Sequence, residues 1–387
     1  MATQLAFTQQ EQGRVGGASM MKTVSGQQIK NLTLVLTTRC QLKCPYCSQG
    51  EMMPRQDMLP DVLRKALRLA DQGAEPLQIQ LTGGEPSLVP ELIQMAVLEA
   101  EGMQRPVHMA IQSNGVQLDA AMLRFWKKHG LQVGISLDGT PRVQERLRGR
   151  AGATLRGLLL LEKEGVPFRI TTVLSSANVQ ELDRLVWLLA TFEQARGIGL
   201  DILVRHGRAT RNTQLALAPP DAEQLSRGLE RLLSTLAAIN RQRRIPLRLR
   251  ELDLVYRCLQ QQKTEGRVRT FCLAACGQSL AVAPDGRLFP CAQVIGDARF
   301  AAGTVDVPKS MPLFLTRSLA ALRRDCSSCP LQGCCPGDCP SRLLHNSRNE
   351  ALLTCCLYQV LARSLQSTLD RRSIGLGLFP GQAEIWS

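Results

Sequence analysis

The chain has 387 residues, 44% of them apolar, with 14 cysteines and a formal net charge of +14. That length allows more than one domain and a sizeable core. No apolar run reaches the roughly 18–20 residues of a membrane span, and with 4% aromatics and no basic run among them, nucleic acid is not an expected partner.

Residues 1–28 are polar and rich in Gly, Ser and Gln, without the apolar core of a signal peptide. They are expected to form a flexible arm, and the chain is expected to stay in the cytoplasm. Thiols remain reduced there, so clustered cysteines point to metal rather than to disulfides. The positive charge would attract an acidic polypeptide.

From about residue 30, strand-like and helix-like segments alternate. The expected strands are 32–37, 77–86, 107–115, 132–139, 168–176 and 199–207. Between them, 59–73, 90–102, 119–130, 154–165 and 178–197 carry helical spacing. Six strands alternating with helices predict an α/β fold with a parallel sheet, curled by right-handed crossovers into a partial or full barrel. Chemistry is then expected at the strand C-terminal ends. A long amphipathic helix over 220–243 closes this unit, set at 29–243. Residues 244–271 read as a linker or bridging segment. Ten cysteines fall within 272–356 among many Gly and Pro, which predicts a small domain, 272–360, held by metal more than by an apolar core. Residues 361–387 are expected to be a helix end and tail.

The first expected strand runs into "TTRCQLKCPYCSQG" (37–50), where Cys40, Cys44 and Cys47 are spaced C-x3-C-x2-C. Three thiolates can hold three corners of a cubane iron–sulfur cluster and leave one iron open to a ligand. A zinc site would want a fourth Cys or His close by, and the nearest histidine is His108. Further on, "LTGGEPSL" (81–88) places a glycine pair after a strand, where the lack of side chains permits close approach of a ligand.

These motifs resemble the radical S-adenosylmethionine (radical SAM) family. "CQLKCPYC" matches its cysteine signature, and the resemblance runs from about Asn31 to His206. It implies a partial (β/α)6 barrel, a cluster held by Cys40, Cys44 and Cys47, and S-adenosylmethionine on the open iron. Tyr46 would pack near the adenine. Gly83, Gly84, Glu85 and Pro86 would approach the methionine amino group. Ser113 and Asn114 in "IQSNG" would lie near the cofactor. In "SLDGTPRVQERLR" (136–148), Ser136, Asp138 and Arg148 would hold the ribose and carboxylate. A His-Asp pair frequent in that stretch is replaced by Gln144-Glu145. The implied activity is reductive cleavage of S-adenosylmethionine to a 5′-deoxyadenosyl radical.

The second cysteine group, "CGQSLAVAPDGRLFPC" (276–291) followed by "CSSCPLQGCCPGDC" (326–339) and Cys355-Cys356, resembles the SPASM auxiliary-cluster domain of radical SAM enzymes that modify peptides and proteins. The resemblance implies two further 4Fe–4S clusters. Cys272, Cys276, Cys291 and Cys339 would hold one, and Cys326, Cys329, Cys335 and Cys356 the other. Cys334 and Cys355 stand as alternatives to their neighbours. Cys272 lies closer to Cys276 than in some members. Cys258 reads as a buried structural residue.

Three activities compete: a maturase of a ribosomally made peptide, an anaerobic sulfatase-maturating enzyme, and a small-molecule or haem-pathway enzyme. Sulfatase-maturating enzymes carry an Asp directly after the cysteine matching Cys291, and here that position is Ala292. Peptide maturases often carry a leader-binding domain before the barrel. The short segment before residue 29 leads to the expectation of a separate leader-binding protein. A flavodoxin or ferredoxin would donate electrons. No acid or base is assigned, since His206 and Asp297 both read more readily as structural.

Overall fold

A computed structural model describes residues 21–23, 26–49, 53–211, 217–262, 272–312, 326–335 and 337–366. The expected tail beyond Gln366, and the expected arm before Met21, lie outside these residues. Within the arm, Met21–Thr23 is a strand, β1.

The six predicted strands are all present, as β2 (Asn31–Thr37), β3 (Leu77–Gly83), β4 (Val107–Ser113), β5 (Gln132–Ser136), β6 (Phe168–Leu174) and β7 (Ala195–Ile202). They lie side by side in chain order, each parallel to the next. Three more strands extend the sheet. β8 (Arg248–Leu249) adds beside β7. β9 (Ser279–Val282) adds parallel to β2, and β10 (Leu288–Phe289) pairs antiparallel with β9. The described sheet thus has nine strands in the order β10-β9-β2-β3-β4-β5-β6-β7-β8. β11 (Ser310–Pro312) pairs with β1.

The period-2 pattern explains which face is covered. Ile79, Leu81, Val133, Ile135, Phe168 and Ile170 alternate with more polar residues and enter the main core under helices such as Pro60–Ala70 and Leu182–Ala190. The other face carries Gln78, Gln80, Gln112, Ser136, Arg169 and Thr171. On β2, Leu34 and Leu36 join the helix side. Val35, on the opposite face, packs with Ala281, Ala283, Phe289 and Ile295. The cysteine-rich segment therefore leans on the polar face of the strand that leads into the three-thiol loop.

Two boundaries differ from expectation. β7 starts at Ala195 and ends at Ile202, whereas the helix was expected to run to Gly197 and the strand from 199. Gly197 looks like a helix stop, yet it is a strand residue. A Cβ there would stand 2.4 Å from the carbonyl oxygen of Arg248, so its bareness admits β8. The long helix spans Ala222–Asn240, inside the expected 220–243, and opens with a reciprocal cap between Asp221 and Gln224.

Candidate active site

Cys40, Cys44 and Cys47 lie in the loop after β2, at the C-terminal end of the sheet. The root of the loop is fastened by Asp57. It accepts from Thr37 Oγ1 at 2.6 Å and from Arg39 Nε and Nη2 at 2.8 and 2.7 Å. Each cysteine is then met by a different strand end.

On the Cys40 side, Asn114 Nδ2 lies 3.7 Å from Cys40 Sγ. Asn114 is set by Glu85, whose Oε2 accepts its backbone N–H at 2.6 Å. Glu85 Oε1 accepts from Ser113 Oγ at 2.8 Å and from Ser87 N at 3.0 Å. This carboxyl is fully buried, and burial raises its pKa despite those donors. Glu85 thereby ties the β3 loop to the end of β4. Pro86, buried, opens the short turn Pro86–Leu88 that follows.

The glycine pair lies close against the backbone at the root of the cysteine loop. A Cβ on Gly83 would stand 2.3 Å from the Thr37 carbonyl oxygen, and one on Gly84 would stand 2.3 Å from that of Arg39. Gly84 N donates to Thr37 O at 2.7 Å and Glu85 N to Arg39 O at 2.8 Å. The missing side chains make room for the root of the cysteine loop. Gly84→Ala is therefore expected to push that loop out of place. It should cost about 1–3 kcal/mol of stability and lower the iron bound at Cys40, Cys44 and Cys47. Denaturant unfolding and iron analysis would check this, and an alanine variant that matches the parent in both would contradict it.

On the Cys44 side, Asp138 is fully buried. Its carboxylate accepts from Arg148 Nε at 2.9 Å, Arg148 Nη2 at 3.0 Å, Val173 N at 3.0 Å and the Tyr46 hydroxyl. Arg148 lies 5.4 Å from the Tyr46 ring centroid. Asp138 thus spends its oxygens on orienting Arg148 and Tyr46. Gln144 fixes the turn by accepting from Asp138 N at 3.0 Å, and Glu145 accepts from Ala151 N at 2.7 Å. These two side chains hold the loop. Asn178, which no sequence signal singled out, donates to the Asp138 carbonyl at 2.9 Å.

On the Cys47 side, Arg208 N donates to the Cys47 carbonyl at 3.1 Å. A Cβ on Gly207 would stand 2.5 Å from both the Cys47 and Ser48 carbonyl oxygens. His206, just before it, stacks on His345 with ring centroids 4.2 Å apart. Burial, the neighbouring His206 and the positive Arg299 push His345 down to about 4. Asp297, held low by its hydrogen bonds with Arg299, faces the same pair. Sequence spacing could not find this trio, because its members lie on three separated segments.

Ser136 Oγ accepts from Gln112 Nε2 at 2.9 Å, and Gln112 Oε1 accepts from Thr171 Oγ1 at 3.3 Å. Gly134 lets Gln112 cross β5, since a Cβ there would meet Gln112 Oε1 at 2.3 Å. Gln112 and Thr171 were missed by the sequence reading, although Gln112 lies inside "IQSNG".

The donor chemistry fits iron–sulfur clusters. Burial, with Glu85 and Cys47, raises the Cys40 thiol; burial, with Cys47, Asp138 and Cys40 and against Arg148, pushes Cys44 up to about 11. In the second group, Cys272 is pushed to about 11 and Cys291 to about 12 by burial and by repulsion from Cys339. Cys276 adds to the repulsion at Cys272. Such gathered thiols ionise readily only against a cationic centre. Among the described residues, no three His, Cys, Asp or Glu side chains close around one metal ion.

Cys272, Cys276, Cys291 and Cys339 thus share one neighbourhood. Cys339 is anchored through Asp338, which accepts from Cys339 N at 2.6 Å and from Thr354 Oγ1 at 2.8 Å. Cys334 is buried and feels the charges of Cys329 and Cys335, while Cys326 is exposed. Cys356 turns onto the helix Ala222–Asn240, 3.2 Å from Ser226 Oγ and 3.4 Å from the Ala222 carbonyl. Cys258 is buried in the main core.

Residues 34–189 match the Radical SAM superfamily model. The chain is 26% identical over 333 residues to a serine-type anaerobic sulfatase-maturating enzyme of Klebsiella aerogenes, covering 79% of this chain and 78% of that one. It is 34% identical over 161 residues to a PqqA peptide cyclase of Granulibacter bethesdensis, 39% of this chain and 41% of that one. Among solved structures, native anSMEcpe with bound AdoMet superposes with a TM-score of 0.68 at 18% identity, covering 89% of this chain and 99% of that one. Streptococcus suis SuiB bound to precursor peptide SuiA gives 0.59 at 18% identity, with 83% and 74% covered. At such identity the two structures establish the fold.

Proposed function

Starting from an enzyme whose residues 34–189 are a radical SAM domain, we propose that it oxidatively modifies a ribosomally synthesised peptide. Cys40, Cys44 and Cys47 would hold a 4Fe–4S cluster with S-adenosylmethionine on its open iron. Cys272, Cys276, Cys291 and Cys339 would hold an auxiliary cluster. Cys326, Cys329, Cys335 and Cys356 would hold a second, with Cys334 and Cys355 as alternatives to their neighbours. When bound, the first cluster and S-adenosylmethionine supply hydrogen-atom abstraction from an unactivated carbon.

The chain's own residues orient the site. Asp138 aims Arg148 and Tyr46 beside Cys44. Glu85 sets Asn114 beside Cys40. The cysteine-rich segment packs on Val35 of the strand that leads into the three-thiol loop. His206, His345 and Asp297 stand where that segment meets the end of β7 and could receive a proton from an oxidised product.

The observation that carries this reading is the gathering of a second thiol set against the same sheet, with Ala292 after Cys291. A sulfatase-maturating activity is the second reading, favoured by the relative that matches over 79% of the chain. A haem-pathway or other small-molecule substrate is the third. A flavodoxin or ferredoxin would supply electrons.

Anaerobic co-expression with the short open reading frames beside its gene tests the proposal. A peptide lighter by two hydrogens is the expected result. Conversion of a sulfatase Cys or Ser peptide to formylglycine, with no neighbouring peptide altered, would establish the second reading instead.

A further inference from the structure

The two auxiliary cysteine sets meet at a buried polar cluster. Asp338 stands in the short segment between Cys335, of one set, and Cys339, of the other. Gly337 N donates to Cys335 Sγ at 3.4 Å, and Asp338 Oδ1 accepts from Cys339 N at 2.6 Å. The same oxygen accepts from Thr354 Oγ1 at 2.8 Å. Thr354 lies in the helix Leu353–Gln366, immediately before Cys355-Cys356. Asp338 therefore joins the backbone of a ligand in one set to a side chain beside a ligand of the other.

Arg342 closes the cluster. Its Nη1 donates to Thr354 Oγ1 at 2.9 Å and lies 3.2 Å from Asp338 Oδ1. Backbone N–H groups of Arg342 and Ser341 hydrogen-bond the Cys339 thiol. Side-chain exposure is 0% for Asp338 and 8% for Arg342, and Thr354 is buried as well. An ion pair so buried adds little stability over an apolar filling of the same volume, because desolvation offsets its attraction. Fixed geometry is what it does supply, since a small displacement of either segment breaks the bonds. Partners behind a metal ligand act in this way, by holding the ligand in its coordinating position.

We propose that Asp338, Arg342 and Thr354 are positioning residues that fix the two auxiliary cysteine sets relative to each other, so that their clusters are loaded and lost together. The inference rests on the assignment of those sets to two clusters made above, and not on which substrate the enzyme modifies. The three-thiol loop is held by other partners, Asn114, Arg148 and Arg208, and its cluster is expected to load independently.

The test is iron analysis and electron paramagnetic resonance of the reduced chain, reconstituted anaerobically. The parent is expected to hold about twelve irons in three 4Fe–4S clusters, one of whose signals responds to added S-adenosylmethionine. Cys291→Ala and Cys326→Ala should each abolish one auxiliary signal and weaken the other at least about twofold. Thr354→Val alters no thiol, yet it should weaken both auxiliary signals by about twofold or more and leave the S-adenosylmethionine-responsive signal intact. Thr354→Ser, which keeps the hydroxyl, should match the parent. Thr354→Val that matches the parent, that loses one auxiliary signal alone, or that loses all three signals together would overturn the proposal, the last by marking Thr354 as a residue of the general fold. A ligand variant that leaves the other auxiliary signal at full strength would overturn it too. A parent whose iron and signals account for the S-adenosylmethionine-responsive cluster alone would instead defeat the assignment of auxiliary clusters on which the proposal rests.

Discussion

Replacing Cys44 by alanine is expected to abolish reductive cleavage of S-adenosylmethionine, a fall of at least about 10³-fold. The three-thiol loop has no spare ligand. Each of its cysteines is met by a different strand end, through Asn114, the Asp138–Arg148 pair and Arg208. No neighbour can slide in to replace the lost thiolate. Iron should fall but not vanish, because Cys272, Cys276, Cys291 and Cys339 form a separate neighbourhood. Cys258→Ala, in the apolar core, should leave the iron content unchanged and serves as the control. Iron analysis, electron paramagnetic resonance of the reduced protein and chromatography of the cleavage products would read the outcome. Retained cleavage in Cys44→Ala would remove this loop as the ligand set.

Asp138→Ala is expected to cost about 3–5 kcal/mol of stability, because it strands a buried guanidinium. Side-chain exposure is 10% for Arg148 and 0% for Asp138. Without the carboxylate, Val173 N and the Tyr46 hydroxyl also lose their acceptor. The double variant Asp138→Ala/Arg148→Met should recover much of the loss, since it removes the stranded charge. Denaturant unfolding of the parent, both single variants and the double variant closes the cycle. Equal stability of Asp138→Ala and the parent would show that the buried pair contributes nothing.

Several of the motif residues make contacts within the chain that the motifs do not show. A motif shows that a residue type is needed, but not which side of the chain uses it. Gly83 and Gly84 suggest room for a ligand, and they also lie against the carbonyls of Thr37 and Arg39. Glu85 and Asp138 suggest cofactor contacts, and their oxygens also accept from Ser113, Asn114, Arg148 and Val173. Gln144 and Glu145, a departure from the family pattern, hold the same turn with their own side chains.

The sequence by itself determined the alternation of strands and helices, the polar and apolar faces of the sheet, and the three-thiol loop with its place after β2. All of these are local, written in a period of two, a helical period, or a spacing of a few residues. Tertiary structure alone decided that β9 joins β2 and makes the cysteine-rich segment continuous with the barrel sheet. It alone stacked His206 on His345 and set Arg169 and Arg248 on either side of Gly197. Those pairings link residues far apart in the chain. They depend on which strand edges remain open once the local elements have formed, and no short window of sequence encodes that.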